Sequence, residues 1–419
     1  MTGIDSPALP PRHDAYVALR HRDFRWYILS MFAMTLGSQL QAVVVGWQVY
    51  AITHDPLSLG LIGLAEALPF IAIALPAGYV ADRWNRRSIS VAALAVLALC
   101  SVALLVLSIG GTLLRPFGVT PIYMVIFASG IARSILQPSR QAMSAELVPR
   151  EHQENAIAWR SSSWQTAAVA GPAMGGLLYG FTSAVVAYSV DAALMVFALA
   201  CMLVMRYEAG ERSVGRASIM MDLLTGLRFV WTQPLILGAL SLDLFSVFLG
   251  GSEALLPVFA SEILRVGPQG LGILRAAPAL GAVAMGVFLA HRPPIERAGR
   301  SLLAAVAVFA VAIIGFGLST SFWLSMILLG VSGMADSVSV VIRSTLLQLL
   351  TPRDMLGRVS AVNSVFIGSS NELGAFESGV AARFVGTVPA VVAGGIAALA
   401  VVGLTAKLVP SLRKLQRIT

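Results

Sequence analysis

The sequence predicts an all-α membrane protein: twelve transmembrane helices in two six-helix halves, with both termini cytoplasmic. Three observations carry that expectation. Hydrophobic residues make up 57% of the 419 residues and charged residues 12%, whereas soluble domains carry about twice that charge fraction. Apolar stretches recur along the whole chain. The basic residues are distributed unevenly between the connections. A water-facing surface cannot be built from this composition, and open sheets are excluded because backbone groups in lipid must be paired within their own segment.

Residues 1–26 form a polar N-terminal segment expected in the cytoplasm. Apolar stretches then run over 27–52, 58–80, 88–110, 120–143, 160–180 and 183–205, giving a first half at 27–205. Each approaches the ~20 residues that cross ~30 Å of hydrocarbon as a helix. The first is long and lacks a small-residue cleavage site, so a retained helix is expected rather than a cleaved leader. Residues 206–233 are the longest polar interruption. Within them Ile219, Leu223, Leu227 and Val230 keep a helical period, predicting an amphipathic linker helix on the inner membrane surface. The second half, 234–409, holds the stretches 234–260, 268–290, 300–319, 322–346, 359–386 and 388–409, and 410–419 forms a cytoplasmic tail.

The formal charge of +8 comes from 29 Lys and Arg against 21 Asp and Glu. Of the basic residues, only Arg115, Arg265 and Arg383 fall on one side, while Arg133 and Arg275 lie inside stretches. The rest flank the other side, which places both termini in the cytoplasm by the positive-inside rule. The charge is topological, and no nucleic-acid partner is expected. Cys100 and Cys201 both fall inside stretches, so neither a disulfide nor a metal cluster is suggested. The five histidines sit at ends or loops, which argues against a histidine proton relay.

Sliding the chain by 203 residues places Ser129-Gly130-Ile131-Ala132-Arg133-Ser134 on Ser332-Gly333-Met334-Ala335-Asp336-Ser337, and Arg140 on Arg343. The offset also matches Pro149-Arg150-Glu151 with Pro352-Arg353-Asp354, and Gly171 and Gly176 with Gly374 and Gly379. Small residues recur in any helical bundle to let helices approach, but the Pro-Arg-acid turn needs a duplication.

Residues 78–87 read Gly-Tyr-Val-Ala-Asp-Arg-Trp-Asn-Arg-Arg between two membrane-length stretches. This resembles the signature loop between helices 2 and 3 of the major facilitator superfamily, through Gly78, Asp82, Arg83, Arg86 and Arg87. Asn85 stands where that loop has glycine, and asparagine tolerates a left-handed turn. The resemblance implies a gating role, with Asp82 capping or pairing to the inner end of the eleventh helix near Arg358. It also implies a mid-membrane cavity between two parallel repeats, walled by stretches 1, 4, 7 and 10. Gly171-Pro172-Ala173-Met174-Gly175-Gly176 in the fifth stretch resembles the antiporter motif of proton-coupled drug exporters, with Pro172 bending the helix. Pro138-Ser139-Arg140-Gln141-Ala142, Thr351-Pro352-Arg353-Asp354 with Gly357-Arg358, and Asn371-Glu372-Leu373-Gly374 resemble the enterobactin-exporter-like, or transmembrane secretion effector, branch.

Ionisable groups inside a membrane are functional candidates by default. Glu66 has no basic neighbour in sequence and reads either as a proton carrier or as a hydrogen-bonded structural acid. Asp243 and Arg275 lie at nearby depths, either as a structural ion pair or as a pair that a proton breaks during transport. Arg133 and Asp336 occupy equivalent repeat positions. They either approach across the cavity when the inner gate closes, or pair locally. Gln39, Gln41, Trp47 and Gln48 in the first stretch, with Asn363, Glu372 and Glu377 in the eleventh, are candidates for the cavity wall.

No nucleotide-binding loop, metal-ligand cluster or nucleophile–base set is legible, so neither a cofactor nor an enzymatic reaction is expected. The expected function is export of an amphipathic organic compound, drug-like or siderophore-like, in exchange for protons. The setting is a bacterial inner membrane, with membrane lipid as the only other partner and a monomer as the working unit. A lysophospholipid flippase or an uptake facilitator on the same fold is the alternative.

Overall fold

The computed structural model describes residues 14–83, 85–109, 117–207, 219–293, 295–352 and 355–416, with backbone alone for 74–83, 145 and 219–223. Every regular element among them is helical. The first six long helices are α1 (Arg22–Thr53), α2 (Pro56–Arg83), α3 (Arg86–Ser108), α4 (Thr120–Glu146), α5 (Gln153–Phe181) and α6 (Ala184–Val204). A shorter helix, α7 (Ile219–Thr232), lies in the linker. It leads to α8 (Pro234–Gly250), α9 (Gly267–Ala290), α10 (Ala298–Leu318), α11 (Phe322–Leu350), α12 (Leu356–Val385) and α13 (Thr387–Leu408).

The junctions follow from local chemistry. Asn85 caps α3, its side chain accepting from the backbone N–H of Arg87 and Ser88, and it does so with an extended backbone rather than the left-handed one expected. Ser183 caps α6 in the same way through Val186, each cap satisfying a donor that the helix leaves open. Gly386 joins α12 to α13 at φ +91, a conformation that a Cβ would strain. The helix after α7 is broken. α8 ends at Gly250, and the chain resumes as a 3-10 turn at Glu253–Leu255 and a π segment at Phe259–Ile263. Ser378 of α12 donates to the freed Gly251 carbonyl at 2.7 Å, as irregular backbone at membrane depth requires.

Nine helices among the described residues are long and apolar enough to cross a membrane. α4, α5 and α12 are not among them although they run 27, 29 and 30 residues. Those three are diluted by Arg133, Arg140, Arg160, Asn371 and Glu372, and each of them lines the interior described below.

α1 packs on α5 and α6, and α3 on α4 and α6; α11 packs on α9 and α10, and α13 on α8 and α10. The two groups meet chiefly where α2 crosses α12 and α5 crosses α9. α1 begins and α13 ends on one face, called here the terminal face. Near it, Phe24, Tyr27, Met143 and Met202 form the core of the first group. At the opposite end a second core joins Val43, Tyr50 and Leu59 of the first group to Leu256, Phe259 and Phe316 of the second.

The linker helix differs from expectation. Val230 is fully buried, and with Leu227 it packs on Ile236, Leu240, Leu347, Val359 and Val362. Leu227 and Val230 of its apolar face are thus covered by protein, and Gly226 lies against the Arg358 backbone of α12.

Candidate functional site

A cavity of about 590 Å³ lies between the two helix groups. Gln39 and Gln41 of α1, Glu66 of α2, Arg133 of α4 and Trp164 of α5 form one wall. The facing wall carries Arg275 of α9, Asp336 of α11, Asn371 and Glu372 of α12, and the broken stretch Gly250–Ala254. Trp164 lies on the terminal half of α5 and is 51% exposed, so the cavity reaches toward the terminal face.

Several expectations need correction. Trp47 packs into the core at the opposite end. Gln48 is buried, accepting from the Tyr188 hydroxyl at 2.7 Å and donating to Ser108 at 3.1 Å. Asn363 and Glu377 fall outside the cavity wall. Trp47 and Gln48 lie further toward the closed end of α1 than Gln41, and Asn363 and Glu377 lie on other faces of α12 than Glu372.

Glu66 is not without a cation. Arg133 donates through Nη1 to Glu66 Oε1 at 3.1 Å and through Nη2 to Gln41 Oε1 at 3.3 Å, while its buried Nε has no partner. Arg133 is therefore engaged within its own helix group and does not reach across to Asp336. Glu372 stands on the facing group at the level where α2 and α12 touch, since a Cβ on Gly63 would meet the Glu372 carbonyl at 2.8 Å. Two acids and two arginines, Glu66, Glu372, Arg133 and Arg275, thus share one cavity.

Asp243 is paired with Arg343, not with Arg275. Both are buried, at 7% and 5% exposure. Charge counting treats Arg343 as a face residue, yet it sits inside α11 and holds α8 to α11. Asp336 stays on the cavity wall beside this pair, with Ser246 and Ser339 around it.

At the terminal face, Arg86 pairs with Glu146, which also accepts from the Tyr207 hydroxyl. Arg87 donates to the last carbonyls of α6, to Leu203 at 2.6 Å and to Met202 at 3.3 Å. Both arginines tie α3, α4 and α6 together within one group. Gly78, Asp82 and Arg83 fall where side chains lie outside the described residues. Arg358 donates to Met355 Sδ at 3.4 Å.

Closure at the opposite end was the part least visible in sequence. Gly171 and Gly175 of α5 press on α1, while Gly176 meets Gly272 of α9 across the interface. Gly60 and Gly379 make the same backbone approach between α2 and α12. Among the described residues, two side-chain latches join the groups at this end: Tyr50 donates to Glu262, and Arg383 pairs with Asp55 at 2.6 Å. The only sequence signal was the scarcity of basic residues on this side, which made Arg383 stand out. Because Arg383 is half exposed, its bridge contributes at most ~1 kcal/mol. Asp55→Asn with Tyr50→Phe is expected to raise the population open at this end by about fivefold. Labelling of a cysteine at Ala51 in membranes checks it, and an unchanged labelling rate counts against the latch.

The sequence matches the transmembrane secretion effector family over residues 13–417. It is 27% identical to enterobactin exporter EntS of Escherichia coli O1:K1 / APEC over 347 residues, 82% of this chain and 81% of that protein. A Citrobacter koseri protein of the same name is 26% identical over 343 residues, again 82% and 81% of the two chains. In fold it is similar to a D-xylose-proton symporter, with a TM-score of 0.70 at 13% identity over 94% of this chain and 99% of the other. It is also similar to a bacterial homologue of the human lysosomal transporter spinster in an inward-facing, unoccupied conformation. There the TM-score is 0.63 at 16% identity over 97% of both chains.

Proposed function

The chain belongs to the transmembrane secretion effector family of the major facilitator superfamily, and on that premise we propose that it exports a siderophore-like organic compound in exchange for protons by alternating access. It is a multi-pass protein of the bacterial inner membrane and a transport protein rather than an enzyme. In this reading all twelve long helices cross the membrane, the three polar ones being shielded by their neighbours. The basic residues make the terminal face cytoplasmic, so the conformation described is inward-open.

The observation that carries the reading is the cavity itself, closed at the opposite end and lined by Glu66, Arg133, Arg275 and Glu372. Its volume of about 590 Å³ falls within the ~300–1,000 Å³ of small-molecule sites. Apolar walls from Ile126, Phe309 and Ile313 suit a ring system, and the arginines suit an acidic or catecholate group. Substrate and proton compete at Glu66: substrate hydroxyls need the ionised Glu66 carboxylate, held by Arg133, as their acceptor, and a proton on Glu66 removes that acceptor, so proton occupancy of Glu66 and substrate occupancy become linked. When substrate has left on the far side, the halves rock back.

Flux into proteoliposomes under an imposed pH gradient tests this, with a catecholate siderophore and a hydrophobic dye as probes. Gradient-driven accumulation is expected for the wild type. Glu66→Gln is expected to keep substrate binding and lose the gradient's drive. Flux indifferent to pH in the wild type would overturn antiport and leave a facilitator or a lipid flippase.

A further inference from the structure

Asp191 of α6 is 0% exposed, and among the described residues neither of its carboxylate oxygens has a well-formed hydrogen bond, the Ser101 hydroxyl being the one donor that acts on it. It lies outside the cavity wall, inside the first helix group, and no motif in the sequence singles it out. From α1, Gly37 presses so close that a Cβ there would stand 2.9 Å from Asp191 Oδ1. From α3 comes the buried hydroxyl of Ser101. From α4, Arg133 is the charge that acts on it. On α6 itself, Tyr188 lies one turn away with its hydroxyl committed to Gln48. A fully buried ionised carboxylate with no cation paired to it is costly in such a place, whereas a neutral acid is not.

We propose that Asp191 is a proton-binding site of the transport cycle, and that Arg133 is the cation it shares with Glu66. The proposal deepens the antiport reading and rests on it. In the conformation described, Arg133 is held by Glu66 and Gln41, its Nε is buried and unpaired, and Asp191 carries the proton. When Arg133 turns its free edge to Asp191, the O–H bond of Asp191 breaks and its carboxylate takes the guanidinium. Glu66, left without that cation, accepts the proton and passes it to water in the cavity, which it lines. One proton and one positive charge move in opposite directions, and the charge buried in the helix group is unchanged until Glu66 gives the proton to water, which leaves the group one unit more negative. Gly37 is needed because any side chain there would displace the Asp191 carboxyl.

The test uses the purified full-length protein and Asp191→Asn, an amide close in shape to the neutral acid and therefore compatible with the fold. Infrared difference spectra on acid–base titration should contain a protonated-carboxyl band that the variant lacks. In weakly buffered detergent solution, siderophore binding to the wild type should release about one proton per site, and the variant should release none while binding the same probe. In proteoliposomes the variant should exchange substrate down its own gradient but fail to accumulate it against one. Asp191→Glu, with a titratable group in the same place, should recover part of the gradient-driven flux if it folds. A wild type without pH-driven flux overturns the antiport reading and this proposal with it. A wild type that is pH-driven, beside an Asn variant that is driven equally well and has the same infrared band, overturns this proposal alone and leaves Asp191 a structural acid only.

Discussion

Arg343→Ala is expected to lower the unfolding free energy by about 3–5 kcal/mol, the usual loss when one partner of a buried ion pair is removed. Arg343 is 5% exposed and Asp243 7%, and removal of the guanidinium leaves a carboxylate facing Asp336 across a small polar gap. Asp243 would then have to take up a proton or draw water inward. Thermal unfolding in detergent, followed by tryptophan fluorescence, measures the loss. The control is the neutral pair Asp243→Asn with Arg343→Met, which removes both charges and keeps the volume. Replacing a whole buried pair by uncharged groups is often close to neutral, so the double variant should recover most of the stability. A double variant no better than Arg343→Ala would mean that the arginine acts through packing and not through Asp243.

Gly176→Leu is expected to abolish transport and leave the protein folded. A Cβ at position 176 would stand 2.4 Å from the Pro268 carbonyl oxygen and 2.6 Å from Gly272 Cα. Both obstacles are backbone, so no rotamer change relieves them. The approach exists only where α5 and α9 close the opposite end, and the clash therefore penalises one conformation and not the fold. Overpacking of this kind costs about 1–3 kcal/mol, enough to move a two-state equilibrium by roughly tenfold or more. Spin labels at Thr182 and Phe384, both exposed at that end, should report a longer distance. Gly286→Ala, on the partner helix α9, serves as control, because nothing lies within 4 Å of a Cβ there. Unchanged distances in Gly176→Leu would mean that the helices part elsewhere.

The fold was legible because the length and apolarity of a stretch are one-dimensional properties, and the 203-residue offset survives in them: α4 begins at 120 and α11 at 322, α5 at 153 and α12 at 356. The cavity was partly legible. Gln39, Gln41, Glu66, Arg133, Arg275, Asp336 and Glu372 were picked for being polar at membrane depth, and they line it. What sequence could not supply was rotation about each helix axis. That rotation sends Asp243 to Arg343 instead of Arg275 and gives Arg133 to Glu66 instead of Asp336, while position along the axis carries Gln48 to Tyr188 and Trp47 to the distant core. Asp191 escaped notice because a lone acid in an apolar run has no pattern around it, only neighbours from α1, α3 and α4.

The most direct measurement is a pair of inter-label distances in lipid nanodiscs by double electron–electron resonance. One pair, Glu154 with Leu349, reports the terminal face; the other, Thr182 with Phe384, reports the opposite end. Both are taken without ligand, and again with siderophore or at acid pH. The expected result is a reciprocal change, the terminal pair shortening as the opposite pair lengthens, with the unliganded state matching the closed opposite end described above. Two distances that stay fixed, or that lengthen together, would contradict alternating access about this cavity.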